Sequence, residues 1–192
     1  MHIKNNIFQK EIRSFENKSI MHLLSDTINS INIYTDGSFR FSSNEIVGYA
    51  FVIESDNEFF IKNGFAILGK NKKKLGALYA EVLAIEKAIE FAQKKNYTNI
   101  CIYTDNKYII NAINGSMKYI NPVLNAFINK LRKFLTFHEN FNISIKYIKG
   151  HSDVLGNELA NIYAQKARKR ITTALNLNKI QIQNQTFLQR AN

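Results

Sequence analysis

The sequence is poor in the residues that staple or anchor a chain. Cys101 is its one cysteine, which excludes an internal disulfide framework or a CxxC zinc site and fits a reducing compartment. The flanking Ile100 and Ile102 suggest a thiol buried in a strand. No stretch approaches the roughly 18 consecutive apolar residues of a membrane span, and the first residues lack a charged start followed by a long apolar block. The expectation is a soluble, cytoplasmic protein with no membrane partner. Acidic residues are also scarce: 15 Asp and Glu stand against 26 Lys and Arg, for a net charge of +11. That surplus suits a protein that approaches polyanions such as nucleic acid. There is no repeat of solenoid period.

What is present is an ordinary globular composition, 45% hydrophobic over 192 residues, enough for one domain with a real core. It is expected to act as a monomer. Residues 1–30 carry scattered apolar positions and no motif, and form a lead segment. Residues 31–170 hold the patterned domain, and 171–192 a polar tail expected to be loosely ordered. From Ile31 the chain alternates, with Ile31, Ile33 and Thr35 on one face and Asn32, Tyr34 and Asp36 on the other, which is a strand. Gly48 to Glu54 and Phe59 to Leu68 read as two more strands of an antiparallel meander. Leu78, Val82, Ile85, Ile89 and Ala92 recur at helical spacing. Asn99 to Thr104 is a fourth strand and Asn106 to Ile113 a short helix. A longer helix, Val123 to Phe137, starts just after the chain's one proline, Pro122. Asn142 to Lys149 alternates as a fifth strand, and Asn157 to Arg168 is a final helix.

Two tetrapeptides are identical, Ile33-Tyr34-Thr35-Asp36 and Ile102-Tyr103-Thr104-Asp105, and each closes a strand with an aspartate. A helical crossover between them can lay the two strands parallel. If they are neighbours, the carboxylates lie about one strand spacing apart, near 4.8 Å. At that distance they repel unless a cation or a proton sits between them. Glu81 lies on the helix among Ala77, Ala84 and Ala88, small residues that mark a face packed close to the sheet. A carboxylate there needs a partner. Glu86 and Glu90 differ: Glu90 can pair with Lys94 and Glu86 lies on a polar stripe, so both read as solvated. Three hard oxygen donors without a His or Cys cluster favour magnesium or manganese over zinc, and a pair of such ions suits phosphodiester hydrolysis.

The motifs Tyr34-Thr35-Asp36-Gly37-Ser38, Ala80-Glu81, Tyr103-Thr104-Asp105-Asn106, Lys149-Gly150-His151-Ser152 and Gly156-Asn157-Glu158 together resemble type 1 ribonuclease H across residues 31 to 168. The resemblance implies an α/β, ribonuclease H-like fold, a mixed five-stranded sheet of order 3-2-1-4-5 flanked by helices. It also implies endonucleolytic cleavage of the RNA strand of an RNA–DNA hybrid with two Mg2+ ions, Mn2+ being a possible substitute. On that resemblance Asp36, Glu81 and Asp105 are metal-binding catalytic acids, and His151 lies on a mobile loop as proton shuttle or product-release aid. A histidine suits that role because its pKa near 6.5 lets it give and take protons at neutral pH. The family's fourth aspartate falls at Asn161, whose amide oxygen can still ligate magnesium but brings no charge. The polar residues that precede the family's glutamate and reach 2′-hydroxyls are here Gly76, Ala77 and Leu78. Phosphate contacts are expected instead from Lys70, Lys72, Lys73, Lys74 and Lys107, and from Lys166, Arg168, Lys169 and Arg170. Two other readings stay open, a DNA-directed nuclease of the same superfamily and a catalytically weakened hybrid-binding module.

Overall fold

The computed structural model describes residues 30–41, 45–55, 58–69, 75–117, 120–138 and 141–190. Five strands, β1 (Ser30–Phe39), β2 (Ile46–Ser55), β3 (Glu58–Ile67), β4 (Asn99–Thr104) and β5 (Asn142–Tyr147), form one sheet of order β3-β2-β1-β4-β5. The first three make an antiparallel meander, whereas β4 and β5 run parallel to β1. This is the expected mixed sheet and strand order. The helices are α1 (Gly76–Lys94), α2 (Lys107–Ile113), α3 (Pro122–Phe137) and α4 (Leu155–Arg190). Among the described residues no helix is long and apolar enough to cross a membrane.

β1 occupies the centre, and the sheet is covered on both faces there. Ile31, Ile33 and Thr35 are buried, as their spacing predicts, and so are Tyr34, Asp36 and Ser38 on the opposite face. Ile31 and Ile33 join the main core with Ile85, Ile102, Ile109 and Leu124, between the sheet and helices α1, α2 and α3. The second face packs under α4, where Tyr34 and Val52 meet Leu159 and Ala160. The parallel register pairs Ile33 with Ile102 and Tyr34 with Tyr103. The identical tetrapeptides therefore lie side by side in register. The Tyr34 and Tyr103 rings stack at 5.1 Å, and the Thr35 hydroxyl donates to the Tyr103 carbonyl at 3.1 Å.

The helix starts follow from their caps. Asn106 accepts from the Ile109 amide at 3.2 Å, and Asn121 accepts from the Val123 amide at 2.9 Å ahead of Pro122 in the first turn. Each satisfies an amide that the first helical turn leaves unbonded. On α1, Glu90 pairs with Lys87 at 2.7 Å, not with Lys94, and Lys130 of α3 reaches Glu86 at 3.2 Å. These carboxylates are the ionic seam between α1 and α3. Cys101 is half-buried, not fully enclosed.

The last helix departs most from expectation. It starts at Leu155 and continues to Arg190, in place of a helix ending near Arg168 and a loose tail. No glycine or proline follows Gly156, so nothing in the sequence stops the helix. The lead segment before Ser30 lies outside the described residues.

Candidate active site

The three acids singled out in the sequence meet at the carboxyl edge of the sheet. Asp36 lies near the end of the central strand and is buried; the Gly37 amide donates to its Oδ1 at 2.8 Å. Asp105 follows β4, one position beyond Thr104, in the neighbouring strand. Glu81 comes in from α1 because β1 and α1 touch backbone to backbone: a Cβ on Gly37 would lie 2.3 Å from both the Ala80 carbonyl carbon and the Glu81 nitrogen. Gly150 leaves room for the Asp105 side chain, since a Cβ there would stand 2.7 Å from Oδ2. One oxygen from each of Asp36, Glu81 and Asp105 lies within 4.8 Å of the others.

The electrostatics are those of an unbalanced cluster. Burial, and then the Asp105 charge, push the Asp36 carboxyl up to about 6. Burial also drives Glu81 well above the usual carboxylate range, with Asp36 and Asp105 adding to it. Glu81 Oε2 is sealed from water and has no hydrogen-bond partner. A buried, unpartnered oxygen on a residue clustered with two more carboxylates is costly as it stands. The donor set, all hard oxygen, fits a small divalent cation, which would offset that charge. Without a cation, these raised pKa values favour the folded state at low pH, where the acids are protonated. That contribution is complete below about 4 and is lost as pH rises through about 6. In chelator, the thermal midpoint is expected to fall between pH 4 and 7 by several degrees, on the order of 2 kcal/mol. A divalent cation added at pH 7 should restore it, and Asp36→Asn should flatten the pH dependence; a flat wild-type profile in chelator would show the acids to be uncrowded.

A model of the RNase H family matches residues 28–169. The chain belongs to the RNase H family. It is similar to a ribonuclease H of Saccharomyces cerevisiae, 27% identical over 185 aligned positions that cover 82% of this chain and 51% of the yeast protein. The chain thus spans about half the length of that curated relative. Among solved structures it is similar to RNase H1 of the archaeon Halobacterium salinarum NRC-1, with a TM-score of 0.58 and 22% identity over 73% of this chain and 98% of that one. LC11-RNase H1, solved in complex with an RNA/DNA hybrid, is similar at a TM-score of 0.51 and 21% identity, over 71% of this chain and 98% of that one. These likenesses are of fold.

Around the RNase H acids, the other sequence-predicted residues divide. His151 follows Gly150 with a left-handed backbone, φ 54°. Its side chain is 84% exposed, with Nδ1 3.7 Å from Glu158 Oε1. It lies near enough to act on the charge of Asp36. Asn161 is half-buried on α4, and its Oδ1 accepts from Gln165 Nε2 at 2.7 Å. Lys107 is exposed at the start of α2, its Nζ 5.0 Å from the Tyr147 ring centroid. Lys70, Lys72, Lys73 and Lys74 fall outside the described residues.

The late basic cluster is not one surface. Lys169 and Arg170 are exposed, and Lys166 lies over the Tyr163 ring, but Arg168 turns inward and is buried. Its Nε donates to Ser38 Oγ at 3.0 Å. The helical spacing of Ala160, Ala164 and Ala167, all buried, already places Arg168 on the packed stripe; that signal is hidden by the neighbouring charges. Gly76 is small for a packing reason, since a Cβ there would strike the Phe39 ring at 2.6 Å.

Proposed function

We propose that this RNase H chain is an endonuclease that hydrolyses the RNA strand of RNA–DNA hybrids, using magnesium. The observation that carries this reading is the orphaned Glu81 Oε2 set against Asp36 and Asp105. The hybrid bound by LC11-RNase H1 agrees with the substrate.

Asp36, Glu81 and Asp105 would hold the metal, with the Asn161 amide oxygen as an uncharged fourth donor. Two such ions, when bound, supply an activated water and charge relief on the leaving oxygen. The chain's own residues do the rest. Gly37, through its contact with Ala80 and Glu81, fixes the helix acid against the strand acid. The imidazole of His151, exposed and close to Glu158, stands where it can relay a proton between the site and solvent. Lys107, just beyond Asp105, adds positive charge on the approach to the edge.

The deciding assay compares cleavage of labelled hybrid, duplex DNA and duplex RNA with magnesium, with manganese and with chelator. Cuts confined to the RNA of the hybrid, and dependent on metal, are expected. Cleavage of duplex DNA instead would support the DNA-directed reading, which the apolar Gly76, Ala77 and Leu78 favour because the 2′-hydroxyl is what distinguishes RNA from DNA. Hybrid binding without cleavage in either metal would support a binding module.

At the fourth position, the Asn161 amide is neutral and its oxygen is already engaged by Gln165. Asn161→Asp should therefore tighten metal binding and lower the magnesium needed for half-maximal cleavage by roughly tenfold, a change of about 1.4 kcal/mol. Titration calorimetry and a magnesium series would check it; an unchanged or higher requirement would mean this position does not face the metal.

A further inference from the structure

Arg168 is a buried charge that the acid cluster does not use. The residue is 4% exposed, and no ion pair joins it to a carboxylate among the described residues. Among the described residues its side chain's hydrogen-bond partner is the neutral Ser38 hydroxyl. Burial works against its charge, and so does the neighbouring Arg40. A guanidinium so placed, with a neutral partner and a like charge beside it, gains from an anion that reaches its free end. Its Nη atoms are not among the sealed, partnerless atoms of the described residues.

Its location says which anion. Side chains alternate along a strand, so Asp36 and Ser38 share the α4 face of β1, and Arg40 follows directly on the strand's end. Ser38 lies about 7 Å along the strand from Asp36. That separation is on the order of one to two nucleotides at roughly 3.4 Å of axial rise each. A guanidinium offers a planar fork of donors that matches phosphate oxygens, and the hydroxyl at Nε holds the fork in one orientation.

We propose that Arg168, oriented by Ser38 and reinforced by Arg40, binds a backbone phosphate of the substrate strand one to two nucleotides from the bond cut at Asp36. This rests on the nucleic-acid hydrolase reading and adds a subsite to it. Such a contact positions the strand and carries no sequence or sugar information.

The test measures dissociation constants across a salt series, in chelator, in an Asp105→Asn background, for hybrid, duplex DNA and duplex RNA. For whichever duplex the protein binds best, Arg168→Gln should weaken binding by about tenfold and reduce the slope of log K against log salt by roughly 0.9. Arg168→Lys should recover the slope but not the full affinity, since it restores charge without the fork. Ser38→Ala should weaken binding severalfold at an unchanged slope. Thermal midpoints of all variants accompany the series. An Arg168→Gln protein that remains folded with an unaltered salt slope would overturn the subsite. If Arg168→Gln does not fold, an Arg168→Lys protein with wild-type affinity and Ser38→Ala without effect would overturn it equally. The expected slope change seen on duplex DNA, with no preference for hybrid, would keep the subsite and sink the hybrid reading.

Discussion

Asp105→Asn is expected to lower hybrid cleavage by roughly a thousandfold, about 4 kcal/mol of barrier, while the protein stays folded and still binds hybrid. The substitution keeps the side chain's shape and removes one of three negative charges whose oxygens lie within 4.8 Å of one another. Metal affinity falls because a hard anionic donor has become a neutral amide. Two further readouts move the other way. In chelator the thermal midpoint should rise, because the Asp105 charge is among the causes that raise both Asp36 and Glu81. Hybrid affinity in chelator should hold or improve, because one carboxylate fewer faces the phosphates. Cleavage, calorimetric unfolding and binding on one preparation give all three. A variant that loses cleavage through unfolding would assign Asp105 to structure, not chemistry.

Gly37→Ala should be among the most destabilising single-methyl additions in the molecule. The new Cβ would sit 2.3 Å from the Ala80 carbonyl carbon and the Glu81 nitrogen, which are backbone atoms and cannot swing aside. Helix α1 would have to back away from β1. Overpacking of a close backbone contact costs about 3 kcal/mol or more, a fall of roughly 6–12 °C in a chain this size. Because Glu81 rides on the displaced turn, cleavage by the folded fraction should also drop, by about a hundredfold for a shift of the order of 1 Å. Gly69→Ala is the control, since nothing lies within 4 Å of a Cβ there, and it should leave both quantities near wild type. Equal behaviour of the two variants would show that strand and helix are not in contact at Gly37.

Much of this was readable from residue order because the decisive signals are local. Alternation around Ile33, the helical spacing from Leu78 to Ala92 and the position of Pro122 each set an element, and the strands and helices α1 to α3 lie within a few residues of their expected bounds. The repeated tetrapeptide disclosed two acids, and the alanines around Glu81 disclosed the third. What escaped depends on distance in the fold. Arg168 sits among Lys166, Lys169 and Arg170, so a count of charges sees a surface, while its partner Ser38 is 130 positions away. Lys130 lies on a separate helix from the carboxylates it meets, and local spacing pointed to Lys94 instead. The reach of α4 past Arg168 is masked by its polar composition, although no glycine or proline there ends a helix.

The parallel ladder holds the two tetrapeptides in register as far as Tyr34 and Tyr103, so the aspartates two residues further on leave the sheet from a spacing that the interstrand repeat sets. A cation that keeps short, regular oxygen distances would fit a gap opened from that spacing better than a larger one, which would have to push the strand ends apart.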